Sequence, residues 1–136
     1  MRNILIVFIF TDIYSHLQAQ SLTVEVTNIE ERKGTIRVCL CSKEENFLSS
    51  CEYGKIKAVS GDKETILFEE VAAGTYALSL YHDQDDNGKL NTDGMFGLPS
   101  EPYGFSNNAK GMFGPPSFEK CIFEVSGKTS ITIKLR

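Results

Sequence analysis

Acidic residues, asparagines and a glycine are concentrated in the stretch HDQDDNGKLNTD, residues 82–93, which directly follows a strand-like run. Carboxylates at Asp83 and Asp85, an amide at Asn87 and the glycine Gly88 match positions 1, 3, 5 and 6 of an EF-hand-type calcium loop. A hard cation prefers six to eight oxygen ligands, and alternate side chains of a curling loop converge on one point. This spacing predicts a Ca²⁺ site.

The second half of the stretch departs from the calcium-loop pattern. Gly94 stands at position 12 in place of the bidentate Glu, and Asp93 falls one residue early. Backbone carbonyls such as that of Lys89, together with water, would have to complete the ligand shell. A polar turn, in which Asp and Asn bind their own backbone, is the open alternative. The candidate metal ligands are Asp83, Asp85, Asn87, Lys89 and Asp93.

His82 allows a different chemistry, because a histidine beside Asp83 and Asp85 suggests a small metal-dependent hydrolase. It falls, however, on the apolar side of its predicted strand, which favours a hydrogen-bonded structural histidine. No nucleophile motif and no phosphate-cradling loop occur in the sequence. We therefore predict no catalytic residues and a non-enzymatic binding or accessory module, with the hydrolase as the alternative.

The run EPYGFSNNAKGMFGPPSF interleaves aromatic residues with Asn, Ser and Gly. Such a mixture can bind a glycan or a peptide by stacking and hydrogen bonding, so a glycan or an envelope protein is the expected partner. The alternative is that the rings pin the segment to the domain. The candidate surface residues are Phe96, Tyr103, Phe105, Asn107, Asn108 and Phe113.

The elements that position these residues show period-two alternation of apolar and polar side chains. Seven such runs, separated by turn residues, predict an all-β fold, a seven-stranded antiparallel sandwich of the immunoglobulin or prealbumin kind. Residues 83–117 lack the pattern and form one long loop. We expect this loop to be ordered because it carries the apolar anchors Met95, Phe96, Leu98, Tyr103, Phe105, Met112 and Phe113.

The first nineteen residues differ from the rest of the 136-residue chain. Arg2, the apolar run of residues 4–10 and Ala19 follow the order of a secretory signal peptide, leaving residues 20–136 as one domain. We therefore expect export to the periplasm, the outer surface or the medium. The apolar run is too short for a transmembrane helix. The net charge of −4 argues against a nucleic-acid partner.

Four cysteines remain in the predicted mature chain, and an even number in an exported protein indicates disulfides. Their spacing fits a zinc site poorly. Cys51 follows the strand that carries Cys39 and Cys41 after a short loop, so we expect Cys51 to pair with one of these two. Cys121 is then either a buried free thiol or the partner of the remaining cysteine.

Several long motifs resemble a bacterial family known as domain of unknown function 2141. These are GTYA, HDQDDNGKLNTD, GLPSEPYGFSNNA and FGPPSF, in this order, and the similarity covers nearly all of the predicted mature chain. Asp93, Gly94 and the cysteines before residue 52 depart from the family pattern. The resemblance implies an exported protein without an established activity. The AGTY segment also resembles transthyretin-like and carboxypeptidase-regulatory-like sandwiches, which mostly bind or stabilise.

Overall fold

A computed structural model describes residues 20–136, so the predicted signal peptide lies outside the described residues. Ten strands occur in this part of the chain, together with one helical turn, α1, and two short 3-10 turns at Glu44–Asn46 and Ser106–Asn108. The strands and the helical turn are β1 (Ser21–Thr27), β2 (Thr35–Cys41), β3 (Tyr53–Ala58), β4 (Glu64–Phe68), β5 (Gly74–Asp83), β6 (Thr92–Asp93), β7 (Leu98–Pro99), β8 (Tyr103–Phe105), α1 (Phe118–Cys121), β9 (Phe123–Val125) and β10 (Lys128–Lys134).

The first sheet contains three strands in the order β10, β1, β4. Val24 in β1 lies opposite Ile66 in the antiparallel strand β4 and opposite Ile131 in the parallel strand β10. The parallel pair departs from the purely antiparallel arrangement expected from the sequence. It arises because β10 does not form a hairpin with β9, its predecessor in the chain, but crosses to the other sheet and lies beside β1.

The second sheet has the order β3, β2, β5, β8 and is antiparallel throughout. Its centre is the ten-residue strand β5, which pairs with β2 along Ala77–Asp83. Strand β8 pairs with the second half of β5, and β9 pairs with its first three residues. Strand β5 therefore runs the length of the sheet, and the first part of the long loop, residues 83–93, starts at its end; we call this part the acidic loop.

The hydrophobic core lies between the two sheets and follows the predicted alternation. Every second residue of β1, β2 and β4 is buried, as are alternate residues of β5, whereas β10 buries only Ile133 fully. These core side chains include Leu22, Val24, Val26, Ile36, Val38, Leu40, Ile66, Phe68, Leu78, Leu80 and Ile133. The prediction of an all-β sandwich is confirmed, and the seven predicted runs correspond to β1–β5, β9 and β10. The three further strands, β6–β8, are two or three residues long and lie within residues 83–117.

A smaller apolar cluster contains Ala77, Phe105 and Cys121. The ring of Phe47 makes edge-on contacts with Phe105 and Phe118, at centroid distances of 6.2 and 5.7 Å. Phe105 is thus an anchor of the long loop, as expected. Five other predicted anchors are exposed. Four of them lie in two glycine-flanked tips, residues 94–97 and 111–114, and the fifth lies in β7 next to the first tip: Met95, Phe96, Met112, Phe113 and Leu98.

Cys39 and Cys51 form a disulfide with a Cα–Cα distance of 5.5 Å, which is one of the two pairings expected from the sequence. Cys41 and Cys121 are free and buried. Burial raises the pKa of the Cys121 thiol to about 11, so this group stays protonated and poorly reactive at neutral pH. Within residues 20–136, no helix has the length and apolarity needed to cross a bilayer.

Truncation of Phe105 and of Phe113 should show which part of the long loop is anchored to the sandwich and which part is exposed. Phe105→Ala should lower the free energy of unfolding by about 3–5 kcal/mol, because it leaves a cavity in the smaller cluster. Phe113→Ala should change it by less than about 0.5 kcal/mol, because the ring is 99% exposed. Urea denaturation of both variants measures the difference. Equal losses of stability would contradict the placement of these rings.

Candidate functional site

The acidic loop begins at Asp83, the last residue of β5, whose side chain is fully buried. Arg37 on the neighbouring strand β2 donates from Nε to Asp83 Oδ2 at 2.7 Å. The N–H of Gly88 donates to the same oxygen at 2.8 Å, and the N–H of Asn87 donates to Oδ1 at 3.2 Å. One carboxylate therefore joins two strands to the turn that follows them.

The sequence makes this turn possible at two positions with positive φ. Asp86 has φ 53° and Gly88 has φ 78°, values that suit Asp, Asn and Gly better than other residues. In this bend the N–H groups of Asn87 and Gly88 point back to the Asp83 carboxylate at the end of β5. The glycine expected at the sharp bend is therefore found there, and Tyr81 strengthens the bend by donating from its hydroxyl to Gly88 O at 3.1 Å.

Asp85 and Asn91 form a second layer of the loop. Asn91 donates from Nδ2 to Asp85 Oδ2 at 2.8 Å, and the N–H of Asn87 approaches Asp85 Oδ1 at 3.3 Å. The side-chain oxygen of Asn87 accepts a hydrogen bond from the N–H of Lys89 at 2.9 Å. Asp85 is exposed to solvent, whereas Asp83 behind it is not. The loop thus presents one accessible carboxylate in front of a buried one.

Glu101 completes the site, and the analysis of the sequence missed it. The chain returns to the sheet just before β8, where Glu101 is buried and accepts the N–H of Gln84 at 2.6 Å and that of Asn91 at 2.8 Å. No local spacing connects it to Asp83. The glutamate lies within the stretch GLPSEPYGFSNNA, one of the motifs that carry the resemblance to the family.

The carboxylates of Asp83, Asp85 and Glu101 come together as one group. Each offers one oxygen, and these three oxygens lie within 4.8 Å of one another. Arg37 supplies one formal positive charge against three negative ones, so the group has excess negative charge. A carboxylate can accept further contacts beside its N–H hydrogen bonds, because its two oxygens carry about four lone-pair sites. The arrangement is chemically suited to a hard divalent cation such as Ca²⁺.

The other predicted ligands occupy less central positions. Asp93 lies in β6, is exposed, and is not a member of the carboxylate group found in residues 20–136. Asn87 and Lys89 are within the loop, where the Asn87 side-chain oxygen already accepts the Lys89 N–H. The sequence therefore identified two of the three clustered carboxylates, Asp83 and Asp85.

His82 lies outside this group and is fully buried on the core side of β5. Its Nε2 is 2.6 Å from the carbonyl oxygen of Lys33, so Nε2 carries the proton and donates it to that oxygen. Its Nδ1 has no hydrogen-bond partner among residues 20–136. Because successive side chains of a strand point to opposite faces, His82 is directed away from Asp83. This placement gives no support to a hydrolase that uses both residues.

The predicted aromatic surface is divided by the structure into exposed and structural members. Phe96 and Phe113 are exposed, whereas Phe105 belongs to the smaller apolar cluster. Tyr103 is half-buried beneath the guanidinium of Arg136, whose central carbon lies 5.5 Å from the ring centroid. The exposed rings therefore belong to the loop tips and not to one continuous aromatic face.

Asn107 and Asn108, two further candidates for that surface, are exposed residues whose side chains bind the backbone. Asn107 donates from Nδ2 to the carbonyl oxygens of Lys120 and Ile122 at 3.1 and 2.8 Å. The side-chain oxygen of Asn108 accepts the N–H of Lys134 at 2.9 Å. Both have positive φ, 61° and 48°, which asparagine adopts more readily than most residues. These contacts attach the second half of the loop to β10 and to the segment around α1.

The ionisation of Asp83 is governed by competing effects. Burial by itself would raise the pKa of this carboxyl, but Arg37 and the N–H groups of Gly88 and Asn87 outweigh burial and lower the pKa below its ordinary value of 3.8. A lowered pKa in the folded state stabilises the fold at pH values above the unfolded pKa. This contribution is lost as the pH falls through the folded pKa.

Replacement of Asp83 by Asn should therefore flatten the dependence of stability on pH. At pH 7 the free energy of unfolding of the variant should be lower by about 1.5–3 kcal/mol, the range for hydrogen bonds to a charged group. Below about pH 4 the gap should narrow, because the wild-type carboxyl becomes protonated. Urea denaturation between pH 7 and pH 2 gives both profiles. Asp93→Asn is the matched exposed control, and parallel profiles for wild type and Asp83→Asn would contradict this role.

Comparison with known proteins gives one finding. Residues 24–133 match the model of a family described as an uncharacterized protein conserved in bacteria, domain of unknown function 2141. No curated protein and no solved structure matched the chain. The match covers most of the sandwich, the acidic loop and both glycine-flanked tips. The chain therefore belongs to the bacterial family of domain of unknown function 2141.

Proposed function

We propose that the chain is an exported, non-enzymatic binding or accessory module of the bacterial envelope, and that its long loop forms the interaction surface. The observation that carries this proposal is the exposure of Met95, Phe96, Met112 and Phe113, which are 94, 85, 87 and 99% accessible. Single exposed apolar residues are ordinary, but groups of large ones usually mark a surface that contacts a partner.

The base of the loop is built to hold these residues in place. Asp83 and Glu101 stand at the two ends of the first half of the loop, and their carboxylates bind backbone N–H groups within residues 84–91. In the second half, the side chain of Arg136 donates to Ala109 O, and Asn108 binds β10. A binding loop on a rigid scaffold loses less conformational entropy when a partner is bound. The contacts therefore support a recognition role.

Export is supported by the sequence and by the disulfide. Arg2, the apolar run and Ala19 have the order of a signal peptide, and the Cys39–Cys51 bridge suits an oxidising compartment. The structure does not favour a glycan over other partners, because the side chains of Asn107 and Asn108 are engaged with the backbone. A partner in the envelope that accepts apolar side chains agrees better with the exposed tips.

Retention of envelope material by the immobilised protein tests the binding role. Phe96→Ser combined with Phe113→Ser should abolish retention of components that the wild-type protein holds, because it removes both exposed rings. Ile56→Ser is the matched control, since Ile56 is a 61% exposed apolar residue that lies on β3 and belongs to neither tip. Equal retention by the wild-type protein and the double variant would exclude the loop tips as the interaction surface.

A second proposal concerns Ca²⁺, which is supported by the grouping of Asp83, Asp85 and Glu101. A bound cation would neutralise part of the excess negative charge and join the start of the loop to its return. Gly94 stands where an EF-hand has its bidentate glutamate, and Glu101 supplies a third carboxylate from elsewhere in the chain. We expect weak affinity, in the millimolar range of extracellular modules.

Thermal melting with millimolar Ca²⁺ tests the cation site. At about one hundred times the dissociation constant, binding to the folded state alone should add about 2.7 kcal/mol of stability. Asp85→Asn should reduce the rise in melting temperature, because it removes one of the three clustered carboxylates. Asp93→Asn, the same change at an exposed aspartate outside the group, should preserve it. If millimolar Ca²⁺ does not raise the melting temperature of the wild-type protein, the Ca²⁺ site is excluded and the acidic loop is a polar turn.

A further inference from the structure

A seven-residue unit occurs twice in the long loop. Residues 94–100 read GMFGLPS and residues 111–117 read GMFGPPS, so the two copies differ only at their fifth position. Neither copy contains a charged residue. In both copies the Met and the Phe are among the most exposed large apolar side chains of the described residues. The repeated feature is thus an uncharged tip that presents one thioether and one aromatic ring.

Both tips stand clear of the sandwich. A Cβ atom added at Gly94, Gly97 or Gly114 would meet no other atom within 4 Å. Two surface depressions of the domain lie elsewhere, on strands β2–β5 and the segments beside β3 and β4, and neither is lined by a residue of the tips. The tips are therefore convex projections and not the rim of a pocket, so a partner must enclose them or allow them to penetrate it.

The two copies have different backbone conformations although they share the same Met and Phe side chains. The first copy includes the turn of the β6–β7 hairpin, with φ 75° at Gly94 and φ 60° at Gly97. The second copy contains no strand, and Gly114, which corresponds to Gly97, has φ 158°. A protein pocket that fits one Met-Phe pair by shape would fit the other poorly. A fluid apolar medium requires only that the side chains be apolar.

We propose that the two tips insert into the surface of a lipid bilayer, an inference that rests on the proposed binding role of the loop and names its partner. Phe and Met gain free energy when they leave water for an acyl environment, and rings are favoured at the membrane interface. Charged residues directly flank each unit: Asp93, Glu101 and Lys110. The exposed residues Asp93 and Lys110 would remain at the level of the headgroups.

The chemistry of the tips also specifies the kind of lipid. Because the inserted units are uncharged and the chain carries a net charge of −4, anionic headgroups offer no general electrostatic attraction. The structure assigns binding to the apolar side chains, so neutral zwitterionic lipid should suffice. Binding should also depend little on salt, since screening affects charge interactions and not the burial of apolar surface.

Sedimentation with phosphatidylcholine vesicles tests this inference on the purified protein. The wild-type protein should co-sediment, and the partition coefficient should change little between low and high salt. Phe96→Ser and Phe113→Ser should each lower it about tenfold or more, because burial of one phenylalanine contributes at least that factor. Ile56→Ser should leave it unchanged. No co-sedimentation of the wild-type protein, or equal co-sedimentation of the serine variants, would overturn the inference.

A fluorescence measurement examines each tip separately, because the chain contains no tryptophan. Phe96→Trp and Phe113→Trp each introduce a single reporter at a tip, and Ile56→Trp places one on β3 as the control. Both tip reporters should shift to shorter emission wavelengths when vesicles are added and should be quenched by brominated lipid, whereas the control should not respond. A response from one tip alone would overturn insertion of both.

These outcomes remain distinguishable from failure of the broader proposal. Suppose that the vesicles bind no wild-type protein, but envelope retention is still lost in the double variant Phe96→Ser, Phe113→Ser. The partner would then be a protein, which overturns lipid insertion and leaves the binding role of the loop intact. If neither vesicle binding nor envelope retention depends on the tips, both proposals fail together.

Discussion

The ionised carboxylate of Asp83 is the contact on which the rest of the site depends. Placing a charge where water cannot reach it is costly unless the protein supplies hydrogen bonds and an opposite charge. Arg37 and the N–H groups of Gly88 and Asn87 supply both. Because these donors come from β2 and from the following turn, satisfying one buried group fixes where the chain leaves the sheet and how it bends.

The same end of β5 constrains the turn before β2. The carbonyl oxygen of Lys33 binds His82, and Gly34, with φ 67°, lies so close that an added Cβ would be 2.1 Å from Asp83 O. Only glycine allows this approach without a shift of the backbone. Adjacent residues of one strand therefore do different work: His82 holds the turn on the core side, while Asp83 organises the loop on the other side. This division gives no support to the catalytic pair suggested by their adjacency in sequence.

Local pattern predicted most of the fold but only part of the site. Alternation identified seven of the ten strands, because a period of two in apolar residues is visible in any short window of sequence. The parallel pairing of β1 with β10 was not predictable, because it depends on which sheet receives the last strand. Glu101 was missed for the same reason: it meets Asp83 only after the intervening loop has folded.

The tips show a different limit of sequence reasoning. Apolar residues in a long loop are usually anchors, and Phe105 is one, but Phe96 and Phe113 of the same glycine-rich loop lie in solvent. The repeat GMFG is readable from the sequence, whereas its exposure is set by the geometry of the flanking glycines. Composition therefore cannot distinguish a ring that holds a loop from a ring that the loop presents.

The two tips are held by different contacts, and this has a consequence for any cation in the acidic loop. Asn91 and Glu101 bracket the first tip and belong to the carboxylate network, so an ion there would tighten the hairpin that carries Phe96. The second tip is attached through Asn108 and Arg136, outside that network. A cation would thus order the first tip and leave the second unchanged. The two tips would then lose different amounts of conformational entropy when a partner binds. Affinity for a partner that takes both tips would then depend on Ca²⁺ only through the first.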